Sequence, residues 1–502
     1  MSRIEALVFD LYGTLVHLDD TAFQKGIVRR VEAPRREWAE FLRDVLVVRP
    51  FVGREAFVDA VLERFPARAG LDPGAARAEA LALLDRELAS ARPEPAARAL
   101  LGFLRRRGLK LGLLTNSGSP FREPFERSGL ADLFDAAVFS CDLGAKKPAP
   151  ESYRAALAAL GVEPGAALMV GDSLANDVEA PAALGMQTLL VGRSTRAAAI
   201  PRLEDLAWIG GFGRGSLEPL AGPGSRVALG DLEGVLERID LLPDSMQGRY
   251  NLVGKVEILW DEGWREEAYL KRYRHPEAVW IEQIARRLLA EVGIETNRVG
   301  VLAGAEPLML SRAVTGEKLA EVGPPDADLA FEIGRHGASA LLFANADLRP
   351  RNAFLTRQGG KPRLTMVDYE YTLFDRALDL SDLPERYEPK ALARRPESEL
   401  LARGSRRVVT RAAIQRTRRA FFDHRTVAPE ALTAFRAGWR EVHEAARAAA
   451  GRIEELLRAR LEEDPPLVVG TESYRRAFLP LDVADLVERI ALDPGEACDL
   501  CF

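Results

Sequence analysis

Two groups of polar residues in this chain of 502 residues have the types and spacing needed for phosphate chemistry. The first is FDLYGTLV, where Asp10 ends an apolar run and can attack phosphorus as a nucleophile. The second is DLRPRN followed by VDYE, where Asp347 is a candidate base and Asn352 and Asp368 are candidate metal ligands. These groups predict two phosphate-handling units on one chain.

The first group depends on strands that deliver distant residues to one place. Three short apolar runs, each followed by small and polar residues, are typical of strands buried on both faces of a parallel sheet. They are Ile4–Phe9, Leu109–Leu114 and Ala167–Val170. Ligands bind beyond the carboxyl ends of such strands, so we expect Asp10, Thr115 and Asp172 to meet in one crevice.

Length and periodicity predict how the chain is divided. The chain is longer than one hydrophobic core usually organises, since domains normally hold roughly 100–250 residues, so we expect two domains. Amphipathic helices are predicted between Val16 and Leu100 and would form a cap inserted after the first strand. The predicted bounds are 1–242 for the first domain, with its core at 1–16 and 100–200 and its cap at about 17–99, and 246–502 for the second.

The ordered motifs of the first half resemble those of haloacid-dehalogenase-superfamily hydrolases with a helical cap. The motifs are Asp10 in DLYGTLV, Thr115 in LLTNSG, Lys147 in KKPAPESY, and Asp172 with Asp177 in VGDSLAND. The resemblance implies a Rossmann-like α/β fold in which Asp10 forms an aspartyl phosphate that water hydrolyses. It also implies that Asp10, Asp172 and Asp177 hold Mg²⁺, while Thr115 and Lys147 balance the charge of the transferring group.

One position leaves the type of reaction open. Phosphatases of this superfamily generally carry a second Asp two residues after the nucleophile, where this chain has Tyr12. A phenol with a pKa near ~10 is poorly suited to general acid–base catalysis, whose loss costs about 10²–10⁴-fold. An aromatic residue here and the spacing from Lys147 to Tyr153 are typical of the dehalogenase branch, whereas GDSLAND is typical of the metal-dependent phosphatases. We expect a phosphatase-like hydrolase, with a dehalogenase or an inactive site as the alternatives.

The second half resembles the kinase-like phosphotransferases that include aminoglycoside phosphotransferases, choline kinases and lipopolysaccharide core kinases. Asp347 and Asn352 have the spacing of a kinase catalytic loop, and Asp368 takes the place of the metal-binding Asp. The resemblance implies a two-lobed α+β fold that transfers phosphate from ATP to a hydroxyl-bearing small molecule, with Asn352 and Asp368 holding Mg²⁺. It also implies that Lys271, paired with Glu282, positions the α- and β-phosphates.

Some positions depart from the kinase-like pattern. Asn345 and Ala346 precede the catalytic Asp, and only the scattered glycines Gly248 and Gly254 stand where a glycine-rich loop is expected. The alternative is that one half is a regulatory module that binds a nucleotide or another ligand without catalysis. The predicted bounds are 246–315 for the N-lobe, 316–460 for the C-lobe and 461–502 for a C-terminal tail.

The remaining segments carry weaker signals. Ile209–Ser225 is rich in Gly and Pro and is predicted to be a loop, while Asp231–Ile239 is predicted to be a short helix capped by Asp231. An arginine-rich run at 403–425 is typical of a solvated helix face, and its alternative role is to bind an anionic acceptor. Cys498 and Cys501 cannot complete a tetrahedral zinc site by themselves.

Composition limits the partners. The net charge of −6 at pH 7 is small for this length, so bulk electrostatics do not indicate a nucleic-acid or membrane partner. The partners that the motifs imply are small-molecule phosphates and a hydroxyl-bearing acceptor, and nucleic acid is not favoured. No apolar run approaches the roughly 20 residues that cross a bilayer. The amino terminus carries Glu5 and Asp10 where a signal peptide would need an uncharged apolar run, and the chain has three cysteines. We therefore expect a cytoplasmic protein.

Overall fold

A computed structural model describes residues 3–212, 217–243, 246, 251–274, 276, 278–304, 306–343, 350–369 and 428–462. The predicted base Asp347, the arginine-rich run at 403–425, and Cys498 and Cys501 lie outside the described residues. By its internal contacts the chain divides into two units. The first is Met1–Ser225 with Arg238–Lys255, and the second is Arg226–Glu237 with Val256–Phe502.

The first unit is built on strands and helices that alternate along the chain. The strands are β1 (Ala6–Phe9), β2 (Val16–Leu18), β3 (Ala91–Pro93), β4 (Lys110–Thr115), β5 (Ala136–Phe139), β6 (Ala167–Gly171), β7 (Gln187–Val191), β8 (Ala199–Ile200), β9 (Ile209–Gly210) and β10 (Glu218–Pro219). The helices are α1 (Ala22–Gly26), α2 (Arg35–Phe41), α3 (Gly53–Arg64), α4 (Pro73–Ala89), α5 (Ala97–Arg106), α6 (Glu123–Arg127), α7 (Ser140–Leu143), α8 (Pro150–Leu160) and α9 (Ala180–Ala183).

A six-stranded parallel sheet with the order β5-β4-β1-β6-β7-β8 forms the centre of this unit. Every residue of β1 is fully buried, as its continuous apolar run requires of a strand covered on both faces. The predicted Rossmann-like α/β sheet is therefore confirmed. Because β1 lies between β4 and β6, the residues that follow these three strands emerge at the same edge.

Helices α1 to α4 occupy the predicted cap and pack around an aromatic core that includes Phe23, Trp38, Phe57 and Phe65. The chain enters and leaves this region through the antiparallel ribbon of β2 and β3. The short helix α1 is held by buried Glu87, whose Oε2 accepts hydrogen bonds from the backbone N–H groups at the start of the helix at 2.8 and 3.1 Å. The cap thus has a hydrophobic core separate from the faces of the central sheet.

A second sheet has the order β11-β12-β13-β14-β16-β15. Its strands are β11 (Arg226–Leu229), β12 (Leu232–Leu241), β13 (Leu252–Trp260), β14 (Arg265–Arg272), β15 (Val299–Leu302) and β16 (Leu308–Arg312). The predicted helix at Asp231–Ile239 is wrong, because this segment belongs to strand β12. Its buried and less buried side chains alternate, as a half-buried strand requires. The predicted boundary near residue 242 falls between two neighbouring strands of one sheet.

The rest of the second unit combines helices with a small antiparallel sheet. The elements are α10 (Ala278–Glu291), β17 (Glu317–Lys318), α11 (Ala327–Leu342), β18 (Ala353–Gln358), β19 (Lys361–Met366), α12 (Pro429–Ala448) and α13 (Ala450–Glu462). Helices α10 to α13 and strands β18 and β19 contribute to one buried core. Within the described parts of the chain, no helix is both long and apolar enough to span a bilayer.

Buried His336 makes the stability of the second unit sensitive to acid. Its Nε2 lies 2.9 Å from the carbonyl oxygen of Leu364, and burial lowers its pKa to about 4. The unfolded chain takes up a proton below about pH 6.5, whereas the folded chain does so only near pH 4. We expect the free energy of unfolding to fall by about 3 kcal/mol across this window. Urea unfolding of wild type and His336→Gln checks this, since an equally steep loss in the variant would contradict it.

Candidate active sites

Three carboxylates meet at the carboxyl edge of the parallel sheet. Asp10 follows β1, Asp172 follows β6, and Asp177 lies in the helical turn Leu174–Glu179. One oxygen from each carboxylate lies within 4.8 Å of the other two. Residues separated by more than 160 positions come together because β1 and β6 are paired in register. Oxygen ligands grouped in this way fit a hard cation such as Mg²⁺.

Lys147 joins two of these carboxylates. Its Nζ donates hydrogen bonds to Asp10 Oδ1 and to Asp177 Oδ1, both at 2.7 Å, and the residue is 3% exposed. Asn116 holds the backbone of Lys147 through a reciprocal pair of hydrogen bonds, each 2.8 Å long. We did not predict this role for Asn116 from the sequence, although its position directly after Thr115 in LLTNSG was a usable signal.

The electrostatics of the cluster favour additional positive charge. Burial raises the pKa of Asp10 to about 6; Lys147 opposes this rise, and the nearby Asp177 and Asp172 add to it. Burial also raises the pKa of Asp172, helped by Asp177. Burial acts to lower the pKa of Lys147, but Asp10 and Asp177 more than offset it, so the pKa is raised. One ammonium group among three carboxylates leaves net negative charge, which a bound divalent cation would neutralise.

Gly13 allows the turn that follows Asp10 to approach Asp172 closely. It has a positive φ of 88°, and a Cβ at this position would lie 2.2 Å from Asp172 Oδ2. We expect Gly13→Ala to displace this carboxylate and to weaken Mg²⁺ binding by about 10–100-fold, the usual effect of disturbing the surroundings of a metal ligand. The measurement is the Mg²⁺ concentration that gives half-maximal hydrolase activity.

Gly108→Ala is the matched control for this prediction. Gly108 has a similar φ of 84°, but nothing lies within 4 Å of its added Cβ. It therefore imposes the same backbone strain without touching the site. An equal change in Mg²⁺ dependence for the two variants would contradict a specific role for Gly13.

Thr115 and the two tyrosines occupy different surroundings. Thr115 ends β4 and is 1% exposed, at the edge where β1 and β4 run side by side. The hydroxyl of Tyr12 instead donates a hydrogen bond to the Phe121 carbonyl oxygen at 2.6 Å, and its ring packs against the cap core. Burial raises the pKa of the Tyr12 phenol above its ordinary value. The Tyr153 hydroxyl donates to the Asn176 carbonyl oxygen at 2.5 Å, which anchors the turn that carries Asp177.

In the second unit, Lys271 lies close to Glu282, its expected partner, and also to Asp368, a contact that the sequence did not predict. Lys271 is the next-to-last residue of β14, and its Nζ donates to Asp368 Oδ1 at 2.6 Å and to Glu282 Oε1 at 3.3 Å. Glu282 lies on α10 and is 2% exposed. Burial acts to raise the pKa of Glu282, but Lys271 and other donors more than offset this effect, so the pKa is lowered. Glu282 is therefore held as a buried carboxylate.

Asn352 lies next to the segment that carries Asp368. It precedes β18, while Asp368 follows β19, and these strands form an antiparallel hairpin. The hairpin is extended by a hydrogen bond of 2.9 Å from the Val367 N–H to the Asn352 carbonyl oxygen. Asp368 adopts a positive φ of 79°, a conformation that non-glycine residues adopt rarely and often at functional sites.

Comparisons with known proteins identify the first unit. A family model of haloacid dehalogenase-like hydrolases matches residues 4–185. A phosphatase of Mycobacterium tuberculosis is 34% identical over 217 residues, which are 41% of this chain and 96% of that protein. A phosphoglycolate phosphatase of Rhodospirillum rubrum is 34% identical over 221 residues, which are 40% of this chain and 86% of that protein.

Solved structures are also similar to part of this chain. The crystal structure of a HAD phosphatase from Thermococcus onnurineus is 24% identical with a TM-score of 0.28, covering 40% of this chain and 96% of that one. The phosphatase of Mycobacterium tuberculosis is 34% identical to this chain, and the match covers 96% of its length. The chain therefore belongs to the haloacid dehalogenase-like hydrolases.

Proposed function

We propose that the first unit is a magnesium-dependent phosphatase of small phosphate esters, with Asp10 as the nucleophile. The observation that carries this proposal is the cluster of Asp10, Asp172 and Asp177, whose oxygens lie within 4.8 Å of one another. The two relatives described above are a phosphatase and a phosphoglycolate phosphatase, which supports phosphate esters as the substrate class.

The proposed reaction has two steps. Asp10 attacks the phosphorus atom and forms an aspartyl phosphate while the bond from phosphorus to the ester oxygen breaks. The departing oxygen takes a proton from solvent, and water then hydrolyses the intermediate. Lys147, within 2.7 Å of Asp10, keeps the nucleophile oriented and offsets negative charge, and Thr115 donates a hydrogen bond to a phosphoryl oxygen. Asp10, Asp172 and Asp177 would hold Mg²⁺, which when bound supplies electrostatic stabilisation to the phosphoryl oxygens.

Tyr12 bears on which esters are hydrolysed. Its hydroxyl is committed to the Phe121 carbonyl, so it does not serve as the acid that protonates the departing oxygen. We infer that esters with good leaving groups, such as aryl phosphates, react faster than alkyl phosphates by about 10²–10⁴-fold beyond their intrinsic difference in reactivity. The same site could favour a departing halide, which needs no proton, so a dehalogenase is the alternative.

One comparison of substrates separates these two reactions. Phosphate release from 4-nitrophenyl phosphate and halide release from a 2-haloacid are measured with Mg²⁺ and with a chelator. The phosphatase proposal expects phosphate release that requires Mg²⁺ and no halide release. Halide release that persists in the chelator would overturn it in favour of dehalogenation.

We also propose that the second unit is a kinase-like phosphotransferase, which would make the chain bifunctional. What supports this proposal is the contact of Lys271 with both Glu282 and Asp368, at 3.3 and 2.6 Å. The sheet order β12-β13-β14-β16-β15, with α10 between β14 and β15, places Lys271 and Glu282 on adjoining elements. Lys271 would bind the phosphates of ATP, and Asn352 and Asp368 would hold Mg²⁺.

The proposed acceptor is a hydroxyl-bearing small molecule, with Asp347 as the base. The alternative is a module that binds nucleotide without transferring phosphate. Thermal stabilisation by MgATP, combined with ADP formation across a panel of sugar and amino-alcohol acceptors, tests both. Stabilisation that Asp368→Asn removes, with no ADP formed from any acceptor, would favour the module, and no stabilisation of the wild type would overturn both.

A further inference from the structure

Glu282 is held by more donors than a single lysine. Its Oε1 accepts hydrogen bonds from Lys271 Nζ at 3.3 Å and from the Tyr273 hydroxyl at 2.5 Å. Its Oε2 accepts a hydrogen bond from Arg286 Nη2 at 3.0 Å. Arg286 lies one turn later on α10 and is 9% exposed, so this second ion pair is buried. Both Lys271 and Arg286 therefore balance the charge of one carboxylate.

Arg286 also reaches the loop that carries Asp368. Its guanidinium carbon lies 4.8 Å from the centroid of the Tyr369 ring, and Tyr369 directly follows Asp368. On its other side, Nη1 donates to Asn297 Oδ1 at 2.7 Å. The planar guanidinium is thus fixed by an aromatic face and an amide, an arrangement that suits Arg better than Lys. Arg286 links α10 to the segment that follows β19.

This arrangement has a consequence for Lys271. Removing the cation from a buried carboxylate strongly destabilises the fold. Glu282 would therefore hold Lys271 in the ion pair if no other cation were nearby. With Arg286 in place, Lys271 can turn towards an incoming phosphate while Glu282 stays compensated. The shorter contact of Lys271, at 2.6 Å, is already with Asp368 rather than with Glu282.

We propose that Arg286 is a positioning residue that carries the charge of Glu282 and so makes Lys271 available to nucleotide phosphates, a role that rests on the proposed nucleotide function of this unit. Arg286 touches neither phosphate nor metal in this role. It acts through Glu282 on one side and through Tyr369 on the other.

The test is calorimetric titration of the full chain with ADP in the presence of Mg²⁺. We expect Arg286→Met to weaken ADP binding by about tenfold or more, which corresponds to about 1.4 kcal/mol or more. The double variant Arg286→Met with Glu282→Gln is expected to bind more tightly than Arg286→Met alone, because a neutral amide no longer retains Lys271. Glu282→Gln by itself should bind no better than wild type, because Lys271 loses its partner. Arg287→Met, on the exposed side of the same helix, is the matched control for lost charge and should bind like wild type.

The outcomes are distinguishable. Equally weak binding by Arg286→Met and the double variant would overturn the role, because lost packing is not restored by removing the charge of Glu282. Unchanged binding by Arg286→Met would also overturn it. If Arg286→Met does not fold, Arg286→Lys takes its place, and a tenfold loss despite the retained charge would count against the proposal. Absence of MgADP binding by wild type would overturn the proposed nucleotide function and this role with it.

Discussion

Asp10→Asn is expected to lower Mg²⁺-dependent phosphate release from an aryl phosphate by about 10⁴-fold or more, the usual scale of removing a nucleophile. An amide has the same shape as the carboxylate but cannot form the aspartyl phosphate. Asp10 is also the carboxylate that Lys147 contacts at 2.7 Å, so the variant loses the charge that orients this lysine. Steady-state phosphate release with saturating Mg²⁺ is the measurement.

Asp132→Asn is the matched control for this substitution. Asp132 forms an exposed ion pair with Arg98 at 3.0 Å and lies outside the four motifs. Exposed pairs contribute little, roughly 0–1 kcal/mol, so this variant should retain wild-type activity. Activity of Asp10→Asn above about a tenth of wild type would show that another group attacks the phosphorus.

Lys147→Met is expected to lower the free energy of unfolding of the first unit by about 3–5 kcal/mol, because it leaves buried Asp10 and Asp177 without their cation. Phosphate release should fall as well, since the cation that offsets the transferring charge is lost. Urea unfolding in the presence of a chelator measures the first effect without interference from a bound metal.

The neighbouring Lys146 provides the control. Its Nζ donates to Asp44 Oδ1 at 2.6 Å, but the lysine side chain is 21% exposed and the aspartate side chain 54% exposed. Because a solvated ion pair of this kind contributes little to stability, Lys146→Met should change the free energy of unfolding little. Equal losses for the two variants would mean that burial of the ion pair is not what makes Lys147 important.

Some features were accessible from the sequence because their signals are local. The apolar runs before Asp10, Thr115 and Asp172 identify strands, and parallel pairing then brings their ends to one edge. A helix was predicted at β12 because Leu, Glu and Arg in DLEGVLERIDLL also favour helices. Pairing of this segment in the second sheet decided that it forms a strand. Periodicity in so short a segment does not separate the two states.

Residue order alone indicated Asp10 and Asp172, since a charged residue directly after a buried apolar run is a signal carried by a few neighbours. Lys147 and Asp177 were indicated only by the resemblance of the ordered motifs. Tertiary structure alone decided the hydrogen-bond partner of Tyr12 and the aromatic neighbour of Arg286. The Tyr12 hydroxyl binds a carbonyl 109 residues away, and Arg286 packs against the ring of Tyr369. Contacts of this kind depend on how separate elements pack, and no local pattern of residues encodes them.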